Sequence, residues 1–307
     1  MSASPLRQTA QPPPRVSIGV PVYNGERYLA QTLDSLLAQT YQDIEIIIGD
    51  NASTDRTREI ATAYAARDAR VRYVRHERNL GLARNYMHLL ALARGELFRW
   101  AAADDLSAPG AVAACVEALD RNPEAILAYP KTLLIDAEGE PIGEYEDNLD
   151  LQSPQPSERF QQLLIRLGLC NAVFGLTRTE VLRRTRGMGD YVGSDVPLLA
   201  ELALHGRVVE IPQRLFLRRF HPEASSALQG AAKQRLFTPE ARRADGAPEW
   251  RQLWELCISV LRAPIPTGEK LRAGVFLVRV AKWRSGSLVH EFGAGVLALT
   301  SFRRRRS

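Results

Sequence analysis

The runs VSIGVPVY (16–23) and IEIIIGD (44–50) constrain the fold more than any other feature of the chain. Both are almost continuously apolar and rich in β-branched residues, without the alternation of a half-exposed strand. Strands of that kind are buried on both faces, which requires helices above and below them. The residues between the runs supply those helices. After Asn24-Gly25, the side chains of Tyr28, Leu29, Leu33, Leu36 and Leu37 fall on one helical stripe, with Asn24 as candidate N-cap. A second helix is expected from about Asp55 to Ala66, a third strand at VRYVRH (71–76), and a helix within 79–95 stopped by Gly95. ELFRWAAADD reads as the fourth strand, and Pro109 opens the helix after it. This alternation specifies an α/β fold, with a mostly parallel central sheet, right-handed crossovers and helices on both faces.

The rest of the chain is less regular. ILAYPKTLLIDAEGE (126–140) is extended with an acidic glycine turn, and the polar, proline-bearing EYEDNLDLQSPQPS (144–157) is the best candidate boundary. A helix (158–169), a strand at NAVFGLT (171–177), a helix after GSDVP and a strand pair, VVEIP and RLFLRRFH, are expected next. The opening MSASPLRQTAQPPPR has no apolar core of a secretory signal, and its prolines suggest a disordered lead-in. The organisation expected is a lead-in at 1–15, two halves of one α/β domain at 16–140 and 141–222, and a helical, basic region at 223–307.

In open parallel sheets, ligands bind beyond the carboxyl ends of the strands. Polar groups stand at each of those ends: Asn24 after the first strand, Asp50 and Asn51 after the second, His76 and Asn79 after the third, and Asp104 with Asp105 after the fourth. The adjacent carboxylates are the sharpest signal. A helix cap needs one acid, whereas a hard divalent cation such as Mg²⁺ or Mn²⁺ is held by one or two carboxylates together with substrate phosphates. The first strand is followed by YNGERY, not GxGxxG, and no GxxxxGK[ST] occurs, which argues against a nicotinamide Rossmann enzyme or a P-loop NTPase.

VSIGVPVYNGERYLAQTLDSLLAQTYQDIEIIIGDNASTDRT, then NLGLARN and AADDLSAP, together resemble the family 2 glycosyltransferases of GT-A fold, over residues 16 to about 222. The resemblance implies a role for each matching residue. Pro21, Tyr23 and Asn24 would line the nucleotide pocket, with Glu26 as the common acid after them. Asp50 would bind the base or ribose, and Asn79, Gly81 and Arg84 would flank the nucleotide and its phosphates. Asp104 would lie near the ribose, while Asp105 and His221, in RRFHPEAS, would hold Mn²⁺ or Mg²⁺. Asp195, in GSDVPL, would be the general base. Ala103 and Ser194 stand where many members carry further acids. The activity implied is metal-dependent, inverting sugar transfer from a nucleotide-activated donor, a UDP-sugar being favoured, to a hydroxyl of a glycan or lipid-linked acceptor. Neither the QxxRW motif nor the membrane spans of the processive synthases are visible, so single additions in bacterial surface polysaccharide or glycolipid assembly are expected. A sugar-phosphate nucleotidyltransferase would carry a glycine-rich basic loop after strand one, and a non-catalytic scaffold would have lost the acidic pair; neither description fits the sequence.

Charge is unevenly placed. The net charge is +5, yet residues 251–307 carry 11 Lys/Arg against 3 Asp/Glu, so the body is slightly acidic and ill suited to nucleic acid. LRAGVFLVRVAKWRSGSLVHEFGAGVLALTSFRRRRS (271–307) interleaves apolar and basic residues, as an interfacial helix on anionic lipid would. A cytoplasmic location is expected, with peripheral contact at the inner face of the membrane. The three cysteines are scattered in apolar or helical surroundings, as reduced packing residues.

Overall fold

A computed structural model of the chain describes residues 12–225, 227–239 and 248–287. The first two apolar runs form β1 (Val16–Val22) and β2 (Ile44–Asp50), every residue of both being buried. With β3 (Val71–Arg75) and β4 (Leu97–Trp100) they make a parallel half-sheet in the order β3-β2-β1-β4. The intervening helices are α1 (Leu29–Leu37), α2 (Thr57–Arg67) and α3 (Leu82–Leu92). The two-residue β5 (Leu106–Ser107) and α4 (Ala111–Arg121) follow the acidic pair.

The second half continues the same sheet as β8-β6-β9-β5, with β7 on the side of β6. It comprises β6 (Ala125–Ile135), β7 (Pro141–Tyr145), β8 (Leu176–Arg178) and β9 (Arg207–Arg219). Only β6 and β9 are parallel here; β8 lies antiparallel to both β4 and β6, and β5 antiparallel to β9. The helices of this half are α5 (Pro156–Arg166), the short α6 (Thr179–Arg184) and α7 (Asp195–His205). After the sheet come α8 (Gly230–Phe237), α9 (Pro248–Arg262) and α10 (Thr267–Trp283).

Alternation along the strands divides the core. Val16, Ile18, Val20, Ile46 and Ile48 pack with Leu29, Leu33, Val112 and Val116 on one face, while Phe98 and Trp100 pack with Leu90, Phe160, Leu199, Val260 and Phe276 on the other. The two groups hold both helix layers to one sheet.

Several local expectations are revised. Asn24 does not cap α1, which starts at Leu29; it sits in the left-handed region (φ 51°), and its Oδ1 accepts the Thr54 amide at 2.9 Å. NAVFGLT is not a continuous strand. Asn171–Phe174 forms a 3₁₀ turn after a left-handed Cys170, because the buried Asn171 amide turns inward to Thr132 and Asp147. The expected strand pair is one long β9, whose register against β6 jumps between Ile211 and Arg214; a bulge thus absorbs Pro212, which cannot donate to the ladder. In the loop 146–155, Leu149 and Leu151 are buried in the core, and Leu151 bridges to Val208. Residues 1–11 of the lead-in and 288–307 of the basic end lie outside the described residues.

Candidate active site

The carboxyl ends of β1, β2 and β4 open on a cavity of about 450 Å³. β1 delivers Pro21 and, through its following loop, Tyr23 and Asn24; β2 delivers Asn51; β4 delivers Asp104 and Asp105. The loop after β3 adds Asn79, and α3 adds Asn85 and Tyr86. β9 closes the far side with Arg218, Arg219 and His221. The turn after it and α8 contribute Ser225, Arg235 and Leu236.

The turn carrying the two aspartates is fastened to β9. The Arg219 amide donates to Asp105 Oδ1 at 2.8 Å, and its Nε donates to the Asp104 carbonyl at 2.8 Å. The Arg219 guanidinium also reaches the carbonyl of Ala137 and Oε1 of Gln31, and lies 4.6 Å from the Tyr28 ring centroid. The side chain of Thr32, on α1, donates to the Asp105 carbonyl at 2.9 Å. His221 Nε2 stands 3.0 Å from Asp104 Oδ2, and its ring packs 4.8 Å from that of Tyr28. The structure therefore pairs His221 with Asp104 and holds Asp105 against the β9 backbone, where the sequence resemblance groups Asp105 with His221.

Asp105 is 8% exposed. Burial, reinforced by the neighbouring Asp104 charge, pushes its carboxyl well above the ordinary carboxylate range. A carboxylate pair in this condition is relieved by a positive charge placed between it and the cavity. Arg99 lies beneath, 2% exposed, its Nη2 donating to Ser107 Oγ at 3.3 Å and its Nε without a hydrogen-bond partner. Burial, then the charges of Asp104, Asp105 and Asp195, raise the Tyr86 hydroxyl far above the usual range.

Other expected residues stand back from the cavity wall. Asp50 is fully buried and committed to the fold, accepting the Ser53 amide (2.8 Å) and the Tyr73 hydroxyl (2.7 Å), with Arg75 Nε at 3.3 Å. Glu26 Oε2 accepts the Arg56 amide, lacing the β1 and β2 loops together. Gly81 supports α8, and Arg84 Nε donates to Asp190 Oδ2 at 3.0 Å in an adjoining groove. Asp195 heads α7, half-buried, with Oδ1 accepting the Val196 amide at 3.0 Å. It faces Cys170, whose thiol is raised by burial and then by the Asp195 charge.

Sequence reasoning placed Asn51 at a strand end without a role, and missed Asn85, Arg218, Arg219 and Arg235 as cavity residues. Asn85 carried a signal, being the last residue of NLGLARN; its Nδ2 donates to the Gly49 carbonyl at 2.7 Å. Arg218 and Arg219 adjoin the histidine in RRFH, but whether that stretch reaches the cavity depends on strand register. Arg218 Nη1 is held by the Leu169 carbonyl (2.8 Å) and Asn171 Oδ1 (2.5 Å), and Arg235 arrives on a helix that no motif announces.

Comparison with known proteins agrees with this architecture. Residues 17–185 match the model of Glycosyl transferase family 2. An uncharacterized glycosyltransferase, RT0329, of Rickettsia typhi is 36% identical over 124 residues, 40% of this chain and 38% of the relative. Glycosyltransferase GlyG of Streptococcus pneumoniae is 38% identical over 91 residues, 30% of each chain. The alignments thus span about a third of these curated relatives. Among solved structures, S. aureus TarS 1-349 in complex with UDP-GlcNAc superposes with a TM-score of 0.65 at 17% identity, covering 88% of this chain and 74% of that one. The mannosyltransferase PcManGT from Pyrobaculum calidifontis, in complex with GDP-Man and Mn²⁺, gives 0.52 at 17% identity, covering 94% and 87%. The fold is of the GT-A type, and with a family match across more than half its length the chain belongs to glycosyl transferase family 2.

Proposed function

We propose that the chain transfers a sugar, with inversion, from a nucleotide-activated donor to a hydroxyl of a glycan or lipid-linked acceptor, in assembly of bacterial surface polysaccharide or glycolipid. The observation that carries the proposal is the meeting of Asp104, Asp105, Arg218 and His221 on one cavity at the strand ends. UDP-sugars are the favoured donors. TarS with UDP-GlcNAc and PcManGT with GDP-Man and Mn²⁺ support a nucleotide-sugar ligand for this fold.

Among the described residues, no three His, Cys, Asp or Glu side chains form a ready-made metal cage. The residues present fit an open site instead. Two adjacent acids face the cavity, one of them strained toward protonation, and His221 Nδ1 is buried without a hydrogen-bond partner. Asp105 and His221 would hold Mn²⁺ or Mg²⁺, ions that leave several positions to water and phosphate oxygens, with Asp104 near the ribose. Bound there, a cation would supply positive charge against the negative charge developing on a departing diphosphate. Arg218 adds a fixed positive charge, oriented by Asn171 and the Leu169 carbonyl. Pro21, Tyr23, Asn24, Asn51 and Asn79 form the wall for the nucleoside, and Asp50 keeps its loop in place. Asp195, at the head of α7, accepts the acceptor's proton.

Titration calorimetry with a panel of nucleotide sugars and Mn²⁺ tests the reading. A UDP-sugar should bind with Mn²⁺ and lose that binding in Asp105→Ala, while Asp195→Asn should keep donor binding and lose transfer by about 10²–10⁴-fold. Absence of any binding heat across the panel, or unchanged nucleoside diphosphate release by Asp105→Ala, would refute it.

A further inference from the structure

The outer faces of α9 and α10 are unlike the rest of the surface. On α9, Trp250, Trp254 and Leu261 are 46%, 63% and 65% exposed. Their spacing of four and seven residues puts them on one stripe. On α10, Leu271, Val275 and Val278 are 69%, 54% and 71% exposed, and their spacing of four and three residues also puts them on one stripe. The opposite faces of both helices are in the core, through Leu256, Val260, Phe276 and Val280. α10 packs on α5, α9 on α7, and α5 on α7, so the pair forms a layer on that one and turns its stripes outward together.

Charge on this layer is sorted. Glu255 pairs with Arg186 of the body, the buried Glu269 accepts from the Ser157 amide and pairs with Arg272, and Glu249 pairs with Arg284. The basic side chains of Arg262, Arg272, Arg279 and Lys282 are exposed. Residues 248–287 hold seven Lys/Arg against three Asp/Glu, and the sequence beyond them continues apolar and ends in four arginines and a serine. A second copy of this layer would bring like charges together. An anionic lipid surface takes both components at once: aromatic and aliphatic groups enter the headgroup boundary, and the cations meet phosphates. Among the described residues no helix is long and apolar enough to cross a membrane, so contact through α9 and α10 is contact at the surface.

We infer that the outer face of α9 and α10, beginning at Trp250, is a docking surface for an anionic bilayer. The start of α9 also borders the loop that carries Asp195. Gln252 Nε2 donates to the Gly193 carbonyl at 3.1 Å, and Arg251 lies 4.4 Å from the Tyr191 ring centroid. On the transferase reading, docking therefore turns the acceptor side toward lipid and specifies a lipid-linked acceptor.

The test uses the full chain, vesicles of phosphatidylcholine with or without phosphatidylglycerol, and the intrinsic fluorescence of tryptophan. Trp100 is buried, whereas Trp250, Trp254 and Trp283 are exposed, so their emission reports insertion. Cosedimentation with a blue shift is expected on the anionic vesicles alone. Trp254→Ser combined with Val278→Ser should weaken partitioning about tenfold or more, with unchanged circular dichroism and with the terminal arginines intact. No binding, binding without a blue shift, or equal binding by the double variant would overturn the inference. So would a dimer in sedimentation velocity that the same substitutions dissociate while vesicles are ignored. Donor binding, measured on the same preparations without lipid, reports separately on the transferase reading.

Discussion

Asp147 shows how a single buried group records its surroundings. Its Oδ2 accepts from Thr132 and Asn171, both at 3.3 Å, its Oδ1 is buried without a partner, and burial pushes the carboxyl from 3.8 up to about 6. A carboxyl whose folded value is raised keeps its proton longer in the folded state. Stability is therefore complete below the unfolded value and falls as the pH climbs toward the folded one. At neutral pH the ionised group costs about 3 kcal/mol. The melting temperature of Asp147→Asn relative to the parent should rise between pH 4 and pH 7 and level off above, by several degrees; a difference independent of pH would contradict this. Asp147 also braces Asn171, which holds Arg218 at the cavity, so its cost is tied to an element of the proposed site.

At the scale of elements, α8 depends on one glycine. Gly81 has φ 89° and ψ 160°, a conformation essentially closed to other residues, and a Cβ there would lie 2.1 Å from the Phe237 carbonyl oxygen at the end of α8. Gly81→Ala should cost about 1–3 kcal/mol in backbone strain and push α8, with Arg235 and Leu236, off the cavity. Limited proteolysis within 227–239 should accelerate, and nucleotide-sugar affinity should fall; unchanged cleavage would show that α8 seats independently of this contact. The elements of the first half were legible because their signals are local. Apolar runs fixed β1 and β2, and one helical stripe fixed α1. The 3₁₀ turn at Asn171 was not, since the apolar NAVFGLT is interrupted only by a buried amide whose partners lie 24 and 39 residues away. Likewise Pro212 reads as a break between two strands, and only pairing with β6 turns it into a bulge.

Across the whole molecule, legibility ends where sequence separation becomes large. The residues that would bind a nucleoside sit on loops directly after predicted strands, so topology alone gathers them. The pairing of His221 with Asp104 spans 117 residues and follows from the register of β9 against both β6 and β5. Position along the chain alone could not have distinguished Asp50, sealed by Tyr73 and Arg75, from the neighbouring Asn51, which faces the cavity. Fastening the acidic turn to the last strand has a further consequence during synthesis. The ribosome delivers Arg219 114 residues after Asp105, so the nascent nucleotide-facing half emerges with its acidic turn unclamped. Closing so long a loop is slow. On the proposed function, a sugar donor would be gripped only by a polypeptide that has already made its second half.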